Sequence, residues 1–213
     1  KPHGSTVHLY NGIEKHNKVA DAVLRFDVGK YDLQQCADAV MRIRAEYLFS
    51  QKRYRDIHFK FTNGFQAEYL RWQQGERIVV SGNTCQWVKK AKVDTSYEAF
   101  RNYLERVYAY AGSLSLSKEL LAVQNLKSIE AGDVFIKGGT PGHAVTVMDV
   151  AMNAKGEKIF LLSQSYMPAQ DIHILKNFND LSISPWYRVS DIESTLETPE
   201  YTFEPQDLMR FAE

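Results

Sequence analysis

The fold is decided by residues 132–150, which read Gly-Asp-Val-Phe-Ile-Lys-Gly-Gly-Thr-Pro-Gly-His-Ala-Val-Thr-Val-Met-Asp-Val. Two apolar, β-branched runs flank a turn rich in Gly and Pro, which predicts two successive strands, the second beginning at His143. A turn centred near residues 154–155 and a return strand over about 158–163 follow, so we expect an antiparallel meander. This register places Gln164 diagonal to His143 on one face of the sheet, whereas a shift of one residue would place it on the other face.

A helix is predicted upstream of this sheet, where residues 32–42 read Asp-Leu-Gln-Gln-Cys-Ala-Asp-Ala-Val-Met-Arg. Asp32 is a good N-cap, and Gln35 stands three positions later, as in a capping box. No Gly or Pro interrupts the run that follows, and apolar residues recur at helical spacing, so we expect a helix over about 33–53. Cys36 would then lie in the first turn, on the apolar stripe.

The other segments carry weaker signals. A second helix is predicted over about 97–111, with Ser96 as its N-cap. Residues 66–94 are interpreted as a loop-rich excursion with short strands, and residues 176–213 as a peripheral wrap. Since no repeat or linker is recognised, the chain is predicted to form a single α+β domain over residues 1–213, in which the helix carrying the cysteine packs on an antiparallel sheet.

The composition argues against several classes of function. Lys and Arg total 26, as do Asp and Glu, so no net charge favours nucleic acid or anionic lipid. No apolar run reaches the length of about 18 residues that a membrane-spanning helix needs, and we expect no membrane span. Phosphate-loop, zinc-protease and nucleophile-elbow motifs are missing from the sequence, so no cofactor and no metal are expected.

Cys36, His143 and Gln164 are the candidate catalytic residues, because a nucleophilic thiol needs a base and a group that orients the base. The helix N-terminus would offer the Cys36 thiolate N–H groups and the positive end of a dipole. His143 would take the thiol proton to form an ion pair, and Gln164 would orient the ring. The Cys36 N–H and the amide of Gln34 or Gln35 would bind the oxyanion. The same three residues equally fit an inert core cysteine, a strand-end histidine and a sheet glutamine.

The compartment depends on two features of the sequence. Cys36 and Cys85 could form a disulfide in an oxidising compartment, which would remove the nucleophile. The first residue, Lys1, is not a methionine, so we expect that an upstream segment has been removed, by signal-peptide cleavage or by trimming.

Five residues are candidates for binding substrate. Aromatic rings and amides can line a cleft for peptide or glycan, although they more often serve core packing and turns. The candidates are Gln35, Asn63, Trp72, Tyr166 and Trp186.

Several blocks of sequence carry a specific resemblance to a known family. They are residues 32–42, 61–65, 114–119, 132–145, 164–177, 185–187 and 200–203. These blocks resemble a bacterial family called domain of unknown function 4846, from about residue 20 to the end of the chain. The resemblance implies a bacterial protein of a kind that is often exported, so we expect a periplasmic or cell-surface location. It implies no activity.

A second resemblance involves residues 132–134 and 142–143. This segment is similar to NlpC/P60-type and other papain-like cysteine hydrolases, in which a Gly-Asp-hydrophobic strand precedes a strand that begins with the catalytic His. The nucleophilic Cys of those enzymes opens an earlier helix, as Cys36 is expected to do. The chain departs from their pattern in Gln35-Cys-Ala and in the 107-residue gap from Cys to His. The resemblance implies a papain-like (NlpC/P60-like) fold.

Two functional hypotheses follow. The first is a papain-like thiol hydrolase that cuts an amide bond, with a peptide or cell-wall fragment as substrate. It predicts that Cys36→Ser loses turnover and keeps its fold. The second is a non-catalytic domain on the same scaffold that binds peptide or glycan, and it predicts that affinity depends on Trp72 or Trp186.

Overall fold

The computed structural model describes residue 1 and residues 4–212. The helices are α1 (Cys36–Ser50), α2 (Tyr69–Gln73), α3 (Tyr97–Tyr108) and α4 (Ser113–Glu119). The strands are β1 (Ala20–Val23), β2 (His58–Lys60), β3 (Gln66–Glu68), β4 (Glu76–Ser81), β5 (Thr84–Lys89), β6 (Leu121–Ala122), β7 (Val134–Lys137), β8 (His143–Met152), β9 (Lys158–Gln164), β10 (His173–Leu175), β11 (Tyr187–Arg188), β12 (Leu196–Glu197), β13 (Thr202–Phe203) and β14 (Leu208–Arg210). Within the described part of the chain, every helix is too short or too polar to span a bilayer. The combination of helices with antiparallel sheet confirms the predicted α+β class.

The helix α1 begins three residues later than predicted, at Cys36, and ends at residue 50. Gln35 is its N-cap residue, and the Gln35 backbone N–H donates to the Asp38 carboxylate at 3.0 Å. Asp32 is therefore not the cap. Its carboxylate instead accepts from the Ala169 N–H at 2.6 Å and from the Gln35 side-chain amide at 3.1 Å. The later start makes Cys36 the first residue of the helix.

The helix α3 begins one residue after Ser96, whose Oγ accepts from the Ala99 N–H at 3.1 Å, so the predicted cap is confirmed. We expect Ser96→Ala to lower the free energy of unfolding by about 1 kcal/mol, because one N–H at the helix start loses its partner. Urea unfolding at neutral pH measures the change. Ser50→Ala removes an exposed hydroxyl at the C-terminal end of a different helix, α1, and should change stability by less than about 0.5 kcal/mol. Equal losses in the two variants would contradict a capping role.

The predicted meander is confirmed as β7, β8 and β9. It forms the middle of an antiparallel sheet in the order β1-β10-β9-β8-β7-β14-β6, with β11 also paired to β9. The interpretation of residues 176–213 as a peripheral wrap is corrected by β14, which lies between β7 and β6. Leu208 of β14 is opposite Phe135 and is fully buried, so the end of the chain completes the core.

The hairpin of β8 and β9 contains a bulge that the sequence did not indicate. Near its turn, Met152 lies opposite Lys158, whereas nearer the site Thr146 lies opposite Ser163, with one extra residue between Val147 and Asp149. The midpoint in sequence of the first pair is residue 155, whereas that of the second pair falls between residues 154 and 155. The register predicted for the site is therefore the one found, because the bulge compensates for a turn that is slightly displaced.

Residues 66–94 are more regular than the predicted loop-rich excursion. β4 and β5 form a hairpin of six pairs, from Glu76 opposite Lys89 to Ser81 opposite Thr84. The two-residue connection begins with Gly82 at φ 57°, which suits the tight turns of such hairpins. In β4 and β5 only Ile78 is buried. Because the hairpin buries so little of its surface, its sequence shows only a weak alternation of polar and apolar residues.

The main sheet is covered differently on its two faces. One face packs against the helices, where Val40 and Met41 of α1 share a buried cluster with Ala144 of β8. The other face carries a second cluster that includes Val145 of β8 and Phe203 of β13. Neighbouring residues of β8 thus belong to different layers, as the alternation of a strand requires.

Candidate functional site

His143 and Gln164 meet at the end of the sheet. The His143 Nε2 and the Gln164 Oε1 lie 2.9 Å apart, and the two residues are only 2% and 1% exposed. The predicted shared face is therefore confirmed. A Cβ at Gly142 would lie 2.9 Å from the Lys137 carbonyl oxygen, so the turn that delivers His143 to the strand needs a glycine.

Cys36 approaches the same place from the helix layer. Its thiol faces the backbone N–H of Ala144, the residue that follows His143, as well as the N–H groups of Cys36 and Ala37 at the start of α1. The Ser165 hydroxyl, next to Gln164, donates to the Gln34 carbonyl at 2.9 Å and ties the helix start to the end of β9. The structure thus brings the three predicted catalytic residues to one end of β8.

Burial favours the uncharged forms of Cys36 and His143. Burial raises the pKa of the Cys36 thiol above its ordinary value, and the N–H groups of Ala37 and Ala144 offset only part of that effect. Burial lowers the pKa of His143, against the opposing effects of its hydrogen bond to Gln164 and the negative charge of Glu200. Both shifts favour a thiol and a neutral imidazole over the expected ion pair.

A charged pair behind Gln164 was missed by the sequence analysis. The Gln164 amide nitrogen donates to the Glu200 carboxylate. That carboxylate also accepts from Lys15 Nζ and from the Asn17 amide, each at 2.6 Å. Lys15 lies 185 residues from Glu200 in the sequence, and no motif connects them.

Aromatic rings surround the imidazole. The ring centroids of Tyr166, Tyr201 and Phe203 lie 4.9, 5.1 and 6.0 Å from that of His143. Tyr166, predicted to bind substrate, thus lies beside the His143 ring. Its half-buried ring also packs against Lys15 Nζ at 5.3 Å.

The two glutamines before Cys36 have different environments. Gln35 is half-buried, and its amide is held by Asp32. Gln34 is fully buried, and its Oε1 accepts from the Arg42 guanidinium at 3.2 Å. Gln35 therefore lies on the partly exposed side of the helix start, whereas Gln34 belongs to its buried support.

Three predicted binding residues are placed elsewhere. Trp72 does not line a cleft, because its side chain is 7% exposed and packs in the helical core. Asn63 serves a turn, since its amide donates to the Asn83 carbonyl at 2.9 Å and to Cys85 Sγ at 3.2 Å. Trp186 lies just before β11, where its backbone accepts from the Asn177 amide. Of the aromatic residues predicted to line a cleft, only Tyr166 lies next to His143, where it is joined by Tyr201.

The two cysteines are not paired. Cys36 and Cys85 are both free thiols, and Cys85 lies on the β5 strand of the separate hairpin. The alternative in which a disulfide removes the nucleophile is therefore not realised in this structure.

These observations define an α+β protein. Its Cys36, His143 and Gln164 side chains lie at one end of an antiparallel sheet. The chain belongs to the family described as Domain of unknown function (4846), whose sequence profile matches residues 1–210. The match confirms the family resemblance and extends it to the N-terminal segment that carries Lys15. No curated protein and no solved structure matches the chain significantly.

Proposed function

We propose that this protein is a thiol hydrolase of papain-like type, which cleaves amide bonds through an acyl-enzyme on Cys36. The observation that carries the proposal is the buried His143–Gln164 hydrogen bond beside the thiol at a helix N-terminus. A histidine held in this way can act as a base towards a neighbouring thiol.

The proposed reaction follows from the neutral resting state. As the Cys36 sulfur attacks the carbonyl carbon, its proton passes to His143, and the carbonyl oxygen becomes an oxyanion. N–H groups at the start of α1 stabilise that charge. The C–N bond then breaks, and His143 returns the proton to the leaving amine. Water hydrolyses the resulting thioester with His143 again as the base, which releases the acid and restores the thiol.

The proposed substrate class is a peptide, with cell-wall peptide suggested by the similarity of residues 132–134 and 142–143 to NlpC/P60-type hydrolases. We also propose that the protein is exported to the periplasm or the cell surface. Tyr166 and Gln35, which flank the site, are the proposed substrate contacts.

Acetylation by p-nitrophenyl acetate tests the chemistry without knowledge of the substrate. We expect Cys36 to be acetylated in the parent protein and His143→Ala to slow this reaction by about 100-fold or more, since general-base catalysis is lost. Because the pKa of His143 is lowered, the parent rate should persist at a pH where an ordinary imidazole is already protonated, and it should fall only when this ring takes up a proton. Peptide mass spectrometry measures the rate at each cysteine.

Cys85→Ser is the matched control and should leave acetylation of Cys36 unchanged, whereas Cys36→Ala should abolish it. Circular dichroism establishes that each variant is folded. A Cys36 rate that does not depend on His143 would refute the hydrolase and favour the non-catalytic binding domain.

A further inference from the structure

We propose that Glu200, held in place by Lys15, is a positioning residue that fixes the proton of His143 on Nε2 by orienting the Gln164 amide. The catalytic meaning of this inference rests on the proposed function. Its structural content, the tautomer of one histidine, does not depend on catalysis.

The argument begins with the two ends of the Gln164 side chain. Its amide nitrogen donates to the Glu200 carboxylate, which can only accept when ionised. The amide oxygen is therefore the atom that faces His143 Nε2 at 2.9 Å. Because an amide oxygen can only accept, Nε2 must carry the hydrogen, and Nδ1 is left as the basic nitrogen. An amide turned the other way would place the proton on Nδ1 and remove the base.

Glu200 is built to stay ionised. Burial alone would raise the pKa of Glu200, but hydrogen bonds from Lys15 and Asn17 outweigh it and lower that pKa below its ordinary value. The Lys15 and Glu200 side chains are 10% and 12% exposed, so this is a largely buried ion pair. Such pairs contribute little net stability compared with apolar side chains of similar size. Stability alone therefore does not explain this ion pair, whereas the orientation of Gln164 does.

Lys15 is fixed by more than its carboxylate partner. Its ammonium lies 5.3 Å from the Tyr166 ring centroid. With the Gln170 amide oriented to satisfy its neighbours, the Gln170 oxygen accepts from Lys15 Nζ at 3.0 Å and from the Tyr166 N–H at 3.1 Å. The pair is thus attached to the strand end that carries Gln164.

Burial favours the neutral form of three other titratable groups near the imidazole. They are Cys36, Tyr166 and His173. Burial raises the pKa of both Cys36 and Tyr166, and burial lowers the pKa of His173 to about 4. His173 lies opposite Gln164 on β10 and stays uncharged above that pH. Glu200 and Lys15 therefore bring the charges that act on His143, the first raising its pKa and the second lowering it.

Nitrogen NMR of protein labelled at histidine tests the inference. The parent protein should show His143 protonated on Nε2 at pH 7.5. Glu200→Ala should populate the Nδ1-protonated form and slow acetylation of Cys36 by about 10- to 100-fold, the range found when the partner that orients a metal-binding histidine is removed. Glu200→Gln keeps an acceptor for the Gln164 amide and should restore the Nε2 tautomer. Its His143 pKa should be lower, because the negative charge is lost, whereas Lys15→Met should raise that pKa.

Two further variants make the test specific. Glu204→Ala removes a nearby carboxylate that pairs with Lys137, and it should change neither the tautomer nor the rate. The double variant Lys15→Met/Glu200→Ala removes both members of the ion pair and so leaves no unpaired charge. It should show the same tautomer change as Glu200→Ala. Such a result would mean that the change comes from the lost orientation of Gln164 and not from unfolding caused by an unpaired Lys15. An unchanged Nε2 tautomer in Glu200→Ala and in the double variant overturns the inference. Failure of Cys36 to acetylate in the parent overturns the proposed function, while the tautomer result stands independently.

Discussion

We expect the Trp72→Ala variant to lose about 3–5 kcal/mol of its free energy of unfolding, the range for deleting a large aromatic side chain from a core. Trp72 is 7% exposed and lies in the helical cluster. Its ring meets that of Tyr103 edge-on at 6.0 Å, and the Arg77 guanidinium covers it at 4.3 Å. Removing the ring leaves a cavity in this cluster, which adds to the cost of the lost apolar contacts. Denaturant unfolding followed by circular dichroism measures the loss.

Trp87→Ala is the matched control for this variant. Trp87 lies on the β4–β5 hairpin, where it is only partly buried against Phe65 and Arg71, so its removal should cost clearly less. Acetylation of Cys36, measured well below the melting temperature, should be unchanged in Trp72→Ala because this side chain is not at the site. A stable Trp72→Ala variant with weakened ligand binding would instead support the cleft that the sequence suggested.

Arg42→Met is expected to cost about 3 kcal/mol, the lower end of the range for breaking a buried ion pair. Arg42 is 1% exposed, and each part of its guanidinium has a partner. Glu46, Gln34 and Tyr97 accept from it at 2.6, 3.2 and 3.0 Å. Methionine fills much of the space but leaves the Gln34 oxygen without its donor and Glu46 without its cation, although Tyr97 still donates to Glu46 at 2.7 Å. Because Glu46 is 15% exposed, water can compensate part of the loss, which places the cost at the lower end.

Arg71→Met is the control for the loss of an arginine, because the Arg71–Glu76 pair lies at the surface and should contribute little. The two variants should also differ at the site. Arg42 holds Gln34, which lies two residues before Cys36, so Arg42→Met should slow acetylation of Cys36, whereas Arg71→Met should not. A similar stability for both variants would mean that the buried guanidinium does not support the start of α1.

Much of the sheet could be predicted because its information is local. The Gly/Pro turn before His143 and the apolar runs around it define β7, β8 and β9 from residues that are neighbours in sequence. The shared face of His143 and Gln164 was predicted for the same reason, although the bulge after Val147 shows that a count from the turn alone is not sufficient. Helix α3 followed from its cap and its apolar spacing.

The bounds of α1 show how local signals compete. Asp32 has the chemistry of an N-cap, but the Ala169 N–H, from the turn between β9 and β10, takes its carboxylate. The helix therefore begins only at Cys36, and Asp38 serves the cap instead. No pattern within residues 32–42 could reveal a partner that lies 137 residues away.

The sequence by itself determined the α+β class, the meander and the candidate residues Cys36, His143 and Gln164, since periodicity and turn chemistry act within one element. Only the tertiary structure decided that Trp72 is core, that β14 completes the sheet, and that Lys15 and Glu200 meet behind Gln164. These outcomes depend on which segments pack together across the whole chain. The energy of such contacts appears only when distant side chains are buried side by side, and single positions in the sequence carry no sign of their partners.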